Sequence, residues 1–342
     1  MTRATSLRLA ALGTAATLAT LALPATAAQG DLDLLSVGPG GVAANASSER
    51  PSLSHDGRYA VFSSDAGNLS PDDGPQTDVF LRDAATGATT LVSRASGENG
   101  AGGGDYSRDA SVSADGRYVA FQSQANNLST ADNNAHPNIF VRDMQTGDTI
   151  LVSRATGPGG VGANGPSSLP HISADGRHVV FQSDADNLSP VDDDLKTNVF
   201  MRDLATNETL LVSREAGPAG GGADDNSGSA TISADGRFVA FASFADNLSN
   251  ADNNAWRNIF VRDMVSHQVT LASRASGGGG AAASGSSFFP RISADGGSVV
   301  FTSAAATLSP DANGKRQVYV RDLAAQTLTM ASRRNGATGA PG

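Results

Sequence analysis

The sequence predicts an all-β fold: a five-bladed β-propeller of four-stranded antiparallel blades, with an extra N-terminal strand closing the ring. Two observations carry this. One unit is written five times, its Asp-Gly pair falling at Asp56, Asp115, Asp175, Asp235 and Asp295, in steps of 59, 60, 60 and 60. A fixed period of this size marks a repeat array or propeller. Each unit also holds four short strand-like runs between turn signals, with no helical period after the first 27 residues.

In the second unit, strand A is the small, alternating run Ser111–Ser113. Asp115 and Gly116 form a hairpin signal. Strand B, Tyr118–Phe121, has consecutive apolar residues, which suits a strand covered on both faces. Strand C is Ile139–Arg142, and the turn Asp143–Gly147 leads to strand D, Ile150–Arg154. Such units bury both faces when stacked as blades, and a closed ring protects their edges. The rival, an open solenoid, needs distinct capping repeats. The blades are expected at about 50–95, 109–155, 169–215, 229–275 and 289–334, in one domain over 28–342. An orphan run, Leu32–Val37, resembles strand D (Leu34 to Ser36 against Leu91 to Ser93) and is expected to join the fifth blade.

Alternating strand direction puts the tight A–B and C–D turns on one side of the disc. The long, unlike B–C and D–A connections lie on the other. Binding residues concentrate on variable loops held by a rigid scaffold, so a site is expected there or in the adjoining channel mouth.

Residues 1–27 read as a secretory signal: Arg3 and Arg8, an apolar run to Leu23, then small residues to Ala27. The expected location is extracellular or periplasmic after cleavage near Ala27. Removing this segment takes away two Arg and no acid, leaving 22 basic and 34 acidic residues, a balance of −12. That argues against nucleic acid and anionic lipid as partners. No second long apolar run follows, so membrane insertion is not expected. The absence of Cys excludes disulfides and thiolate chemistry.

The recurring Ser-x-Asp-Gly-Arg, the Phe of strand B, and Phe-Val-Arg-Asp-x-x-Thr-Gly together resemble the WD-like repeat of TolB-type β-propellers. The resemblance covers about residues 31–333. It implies that the Asp-Gly turns join the two inner strands. It also implies that Phe62, Phe121, Phe181, Phe241 and Phe301 pack between blades. Here Val-Ser-Ala or Ile-Ser-Ala stands where the family often has Trp-Ser-Pro, and no α/β domain precedes the repeats.

Candidate chemistry lies in three places. The B–C loops carry Asp132, Asn134 and Asn138; Asp192, Asp194 and Asn198; Asp252, Asn254 and Asn258. Oxygen donors at these spacings suit Ca²⁺, although no late bidentate Glu is present. Asp and Asn also cap their own loop backbone. The first and fifth repeats offer Asp72, Gly74 and Asp78, and Asp311, Asn313 and Gln317. Second, strand A carries unlike residues at one position: Ser52, Ser111, His171, Thr231 and Arg291. Third, the B–C loops differ at His136, Lys196, Trp256 and Lys315. Trp256, the single Trp, either stacks on a sugar ring or covers its own loop. The ligand-binding candidates are His136, His171, Lys196, Trp256 and Arg291.

The Arg-Asp pairs, such as Arg142 and Asp143, recur in every unit, whereas a catalytic group is needed once. They are read as turn caps and charge pairs. The Arg ending strand D (Arg94, Arg154, Arg214, Arg274, Arg333) is read as edge protection. Asn68, Asn127, Asn187 and Asn247 match a glycosylation acceptor but equally a turn with the following Leu tucked beneath. No catalytic motif is found. The expectation is a monomeric, non-catalytic module binding a protein or glycan of the envelope or medium, with no required cofactor and Ca²⁺ as an option. Two alternatives stand beside it: a glycoside hydrolase-like propeller and a Ca²⁺-stabilised surface repeat protein.

Overall fold

The structure is a computed structural model, and it describes residues 34–333 except 133, 193, 194 and 253. The expected signal, residues 1–27, lies outside the described residues. Five separate four-stranded antiparallel sheets follow one another, each in sequential strand order. The first blade is β1 (Ser48–Leu53), β2 (Tyr59–Ser64), β3 (Asp78–Asp83) and β4 (Ala88–Leu91). The second is β5 (Ser107–Val112), β6 (Tyr118–Ser123), β7 (Asn138–Asp143) and β8 (Thr149–Leu151). The third is β9 (Ser167–Ile172), β10 (His178–Ser183), β11 (Asn198–Asp203) and β12 (Glu208–Leu211). The fourth is β13 (Ser227–Ile232), β14 (Phe238–Ser243), β15 (Asn258–Asp263) and β16 (Val269–Leu271). The fifth is β17 (Ser287–Ile292), β18 (Ser298–Ser303), β19 (Gln317–Asp322) and β20 (Thr327–Met330). This is a propeller array of five four-stranded blades.

The repeated letters build it. Ser113 Oγ donates to Asp115 and accepts from the Tyr118 amide, while Asp115 accepts from the Arg117 amide. Gly116 has φ 73°, and a Cβ there would lie 2.4 Å from the Tyr59 ring of the preceding blade, so only glycine fits. Phe121 is fully buried among Val61, Val79 and Leu81 of the first blade and stacks on Phe140 at 5.8 Å. Phe121, Phe181, Phe241 and Phe301 pack between blades as expected, whereas Phe62 packs within the first blade and against Ala44. Leu69, Leu128, Leu188 and Leu248 are buried under their loops, as the turn reading expected. The Asn before each Leu clamps the incoming connector: Asn127 donates to Gly102 O and accepts from the Gly104 amide, 2.9 Å each.

Asp143 is the turn cap and charge partner that its recurrence suggests, though its partner is not Arg142. It pairs with Arg117 of the Asp-Gly turn at 2.7 Å and accepts the Gln145 and Thr146 amides. Arg142 turns inward instead, donating to Ala95 O (2.9 Å), Gly97 O (3.1 Å) and Thr149 Oγ1 (2.9 Å). Arg202, Arg262 and Arg321 are likewise buried. Five donors in a planar fork let one guanidinium satisfy several carbonyls of the neighbouring connector. Arg154 is not the edge guard expected from the sequence. It folds back onto Gly160 O at 2.7 Å, and Arg94, Arg214 and Arg274 bind Gly100, Gly220 and Gly280 in the same way.

The N-terminal run behaves differently from an added strand. Val37 forms a single bridge with Ala43, and its carbonyl accepts from Thr89 Oγ1 and Arg82. Arg94 O makes the matching contacts to Thr149 and Arg142 one blade on. This segment therefore gives the first blade what the end of strand D gives the next. Asp31 to Asp33 lie outside the described residues. Among the described residues ring closure is not seen: Val300 is 37 % exposed, whereas Val61, Ala120, Val180 and Ala240, at the same place in the other blades, are sealed by the blade that follows. Among the described residues no helix is long and apolar enough to cross a membrane.

Candidate functional site: the channel face of the inner strands

The first strand of each blade packs on the first strand of the next, from β1 through β5, β9 and β13 to β17. Each contains a register break, at Glu49/Ser52, Arg108/Ser111, Gly228/Thr231 and Phe288/Arg291, with the matching break in β9. Each break centres on one non-glycine residue with positive φ: Arg50 (55°), Asp109 (54°), Leu169 (52°), Ser229 (55°) and Phe289 (55°). Left-handed backbone at a side-chain-bearing residue costs about 1–2 kcal/mol. A bulge re-aims side chains, and this one recurs in all five inner strands with a different residue each time.

The inner-strand candidates divide into two groups. Ser111 Oγ accepts the Ile172 amide of the next blade (3.0 Å), and Thr231 Oγ1 accepts that of Ile292 (3.2 Å). Those hydroxyls stitch blades together. His171 and Arg291 do not. They come together in a cavity of about 330 Å³ with Arg50, Ser52, Asp109 and Leu169, contributed by the first, second, third and fifth blades. Arg50 is paired with Asp109 and Glu49. Arg291 has no ion pair among the described residues and donates to the Pro290 carbonyl beside it (3.0 Å). Burial lowers its pKa. His171 is pushed down to about 4, first by burial and then by the Arg291 charge, so it is neutral at pH 7. The cavity thus offers an uncompensated cation beside neutral imidazole and apolar Leu169, and holds one carboxylate, already paired.

His136, Lys196 and Trp256 lie one per loop on the second, third and fourth blades. His136 is exposed, Lys196 faces Asp225 at 3.8 Å, and Trp256 is half exposed. In the B–C loops the Asn138 amide nitrogen occupies the middle of the oxygen set, donating to Asp132 (3.1 Å), Asn134 (3.3 Å) and the His136 carbonyl (3.2 Å). Asn258 does the same with Asp252, Asn254 and the Trp256 carbonyl, and Asn198 binds Asp192. A cation would need this amide turned over, although its oxygen already accepts from Ser153 at 2.7 Å. Asp194 lies outside the described residues.

The first loop differs in register from its sequence reading. It is one residue shorter, so Asp73, not Asp72, takes the place of Asp132: its amide bonds Ser70 O as that of Asp132 bonds Ser129 O. Asp72 pairs instead with Arg94 at 3.1 Å. Asp78 then stands where Asn138 stands, and two carboxyls face each other. Burial, then the Asp78 charge, raises Asp73 to about 7.

Fold and site together define a β-propeller of five four-stranded blades with an unrepeated lining on its inner strands. No family model and no curated relative matches the chain. Solved structures similar to it include TolB from Acinetobacter baumannii (14 % identity, TM-score 0.47, covering 83 % of this chain and 53 % of that one). A putative TolB from Agrobacterium tumefaciens is similar too (16 %, 0.49, covering 83 % and 80 %), as is the tricorn protease (13 %, 0.45, covering 83 % and 26 %). The chain thus spans about half the length of the first and about a quarter of the last.

Proposed function

We propose that this chain is an exported, non-catalytic binding module in which the propeller is the support and the channel cavity around Arg291 is the recognition point. Its ligand is a protein or glycan of the envelope or medium that presents an anionic group, a carboxylate being the best fit to a guanidinium fork. The observation that carries this is the division of labour in the inner strands. Repeated polar groups are consumed by the scaffold, while Arg291 and His171 line the cavity and Arg291 has no ion pair among the described residues. The non-catalytic reading is supported by the single, paired carboxylate, since glycoside hydrolysis needs two. Export rests on the segment 1–27 read from the sequence.

A mixed glycan and peptide array tests the proposal. The wild type should select acidic ligands, and Arg291→Gln should lose the subset held at the channel while melting like the wild type. An unchanged array profile for Arg291→Gln would remove the channel from the account.

A further inference from the structure

A second cationic feature lies between the fourth and fifth blades, at the ends of their B–C loops, and the channel reading does not use it. Thr77, Pro137 and Thr197 precede strand C in the first three blades, but Arg257 and Arg316 precede it in the last two. In the first and third blades the Thr hydroxyl donates to an acid on strand B's exit, Asp65 (2.5 Å) or Asp184 (2.6 Å). The residue matching those acids in the fourth blade is Phe244. The carboxylate that would neutralise Arg257 is therefore replaced by a ring. Arg257 lies 5.8 Å from the centroids of both Phe244 and Phe288, and Arg316 lies 4.7 Å over Phe288. Neither guanidinium has an ion pair among the described residues. Arg257 spends one Nη2 bond on Ser229 (3.2 Å).

Aromatic faces hold a guanidinium by its plane and leave its N–H edge free for a bidentate oxyanion. Phe289 beside Phe288 is 62 % exposed, Phe244 is 39 % exposed, and Trp256, the residue before Arg257 in the chain, is 50 % exposed. In a chain with net charge −10, these two cations beside exposed rings are a local positive patch, so an anion must be drawn by this patch against the charge of the rest of the chain. The bulges at Ser229 and Phe289 interrupt the β13 and β17 ladders, so an extended peptide finds no regular strand edge to pair with. A rigid ring bearing a carboxylate meets neither obstacle.

We propose that Arg257 and Arg316, carried on Phe288, form a binding site for an acidic glycan with uronate units. The carboxylates take the guanidinium edges, and the sugar C–H faces pack on Phe289, Phe244 and Trp256. This deepens the reading of the chain as a binding module but rests on residues separate from the Arg291 cavity.

Trp256 is the single Trp and adjoins Arg257, so its fluorescence reports on the site. The full chain is titrated at low salt with a galacturonate hexamer, its neutral methyl ester and a hexaglutamate peptide. The hexamer should give a saturable change, the ester none, and the peptide a much weaker one. Arg257→Gln should weaken hexamer binding by about tenfold, the loss of a charged bidentate contact, and the Arg257→Gln/Arg316→Gln pair should abolish it. Phe288→Leu, which keeps both charges, should also weaken it. Arg291→Gln should titrate like the wild type, which separates this site from the channel. No response in the wild type, equal binding of the ester or the peptide, or wild-type binding by the double variant with an unchanged melting curve would each overturn the proposal.

Discussion

The two middle strands of each blade and its inner strand obey opposite rules. In the middle strands of the second to fifth blades the same residue does the same work: Phe121 packs under the previous blade, and Arg142 fills the carbonyls of the previous connector. Along the inner strands the backbone bulge repeats, while the residue that it carries runs from Arg50 through Asp109, Leu169 and Ser229 to Phe289. Geometry is held constant and chemistry is varied. Recurrence therefore marks building parts, and a break in recurrence marks residues available for recognition.

The comparison can be broken first at its most repeated part. Phe121→Ala should cost about 4 kcal/mol, because a sealed ring between two blades leaves a cavity that neither sheet can close. Arg262→Ala should cost about 3 kcal/mol, since it strands the Arg214 and Glu215 carbonyls that the buried guanidinium serves. Urea unfolding measures both. A loss below about 1 kcal/mol for either would show that the repeated residues are not what holds the blades.

A smaller effect sharpens the comparison within the loops. Asp78 is the one carboxylate at a position where the second, third and fourth blades carry Asn. Asp73 beside it is raised from 3.8 to about 7 by burial and by Asp78. A carboxyl whose folded pKa is raised stabilises the fold fully below its unfolded pKa. That contribution is lost as pH rises from about 4 through about 7. Asp78→Asn restores the pairing seen between Asp132 and Asn138. It should raise the melting temperature at pH 8 by a few degrees, roughly the effect of 1 kcal/mol, and give no gain at pH 4. An equal gain at both pH values would mean that charge is not the cause.

The smallest effect concerns calcium. With the Asn138, Asn198 and Asn258 amides donating into their loops, adding millimolar Ca²⁺ should leave the melting temperature unchanged to within about 1 °C. A larger upward shift, abolished by Asp132→Asn and Asp252→Asn, would establish the loops as calcium sites instead.

Much of this was legible in the sequence because it is written five times. The period, the four strands, the Asp-Gly turn and the long-loop face follow from spacing and hydrophobic pattern alone. The channel was legible only as a column of unlike letters, Ser52 to Arg291, and that column mixes two kinds of residue. Ser111 and Thr231 look like candidates but bind the next blade's backbone, a contact 61 residues away that spacing does not reveal. The bulges were invisible because their positive-φ residues are Arg, Asp, Leu, Ser and Phe, with no glycine to announce them. The scaffold role of Arg142 and Asp143 was legible from their recurrence, but their separate partners were not, because burial sends the two side chains in different directions. Arg257 and Phe288 stand 31 positions apart, and only the packing of two blades joins them.

The central claim is that building and binding reside in different residues. Its most direct test is the double variant His171→Gln/Arg291→Gln, measured for thermal unfolding and for array binding in the same preparation. The prediction is a melting temperature within about 2 °C of the wild type, together with loss of the acidic ligands held at the channel, while the galacturonate hexamer is still bound at Arg257 and Arg316. A melting temperature that falls as far as that of Arg262→Ala, or an array profile that survives intact, would contradict it.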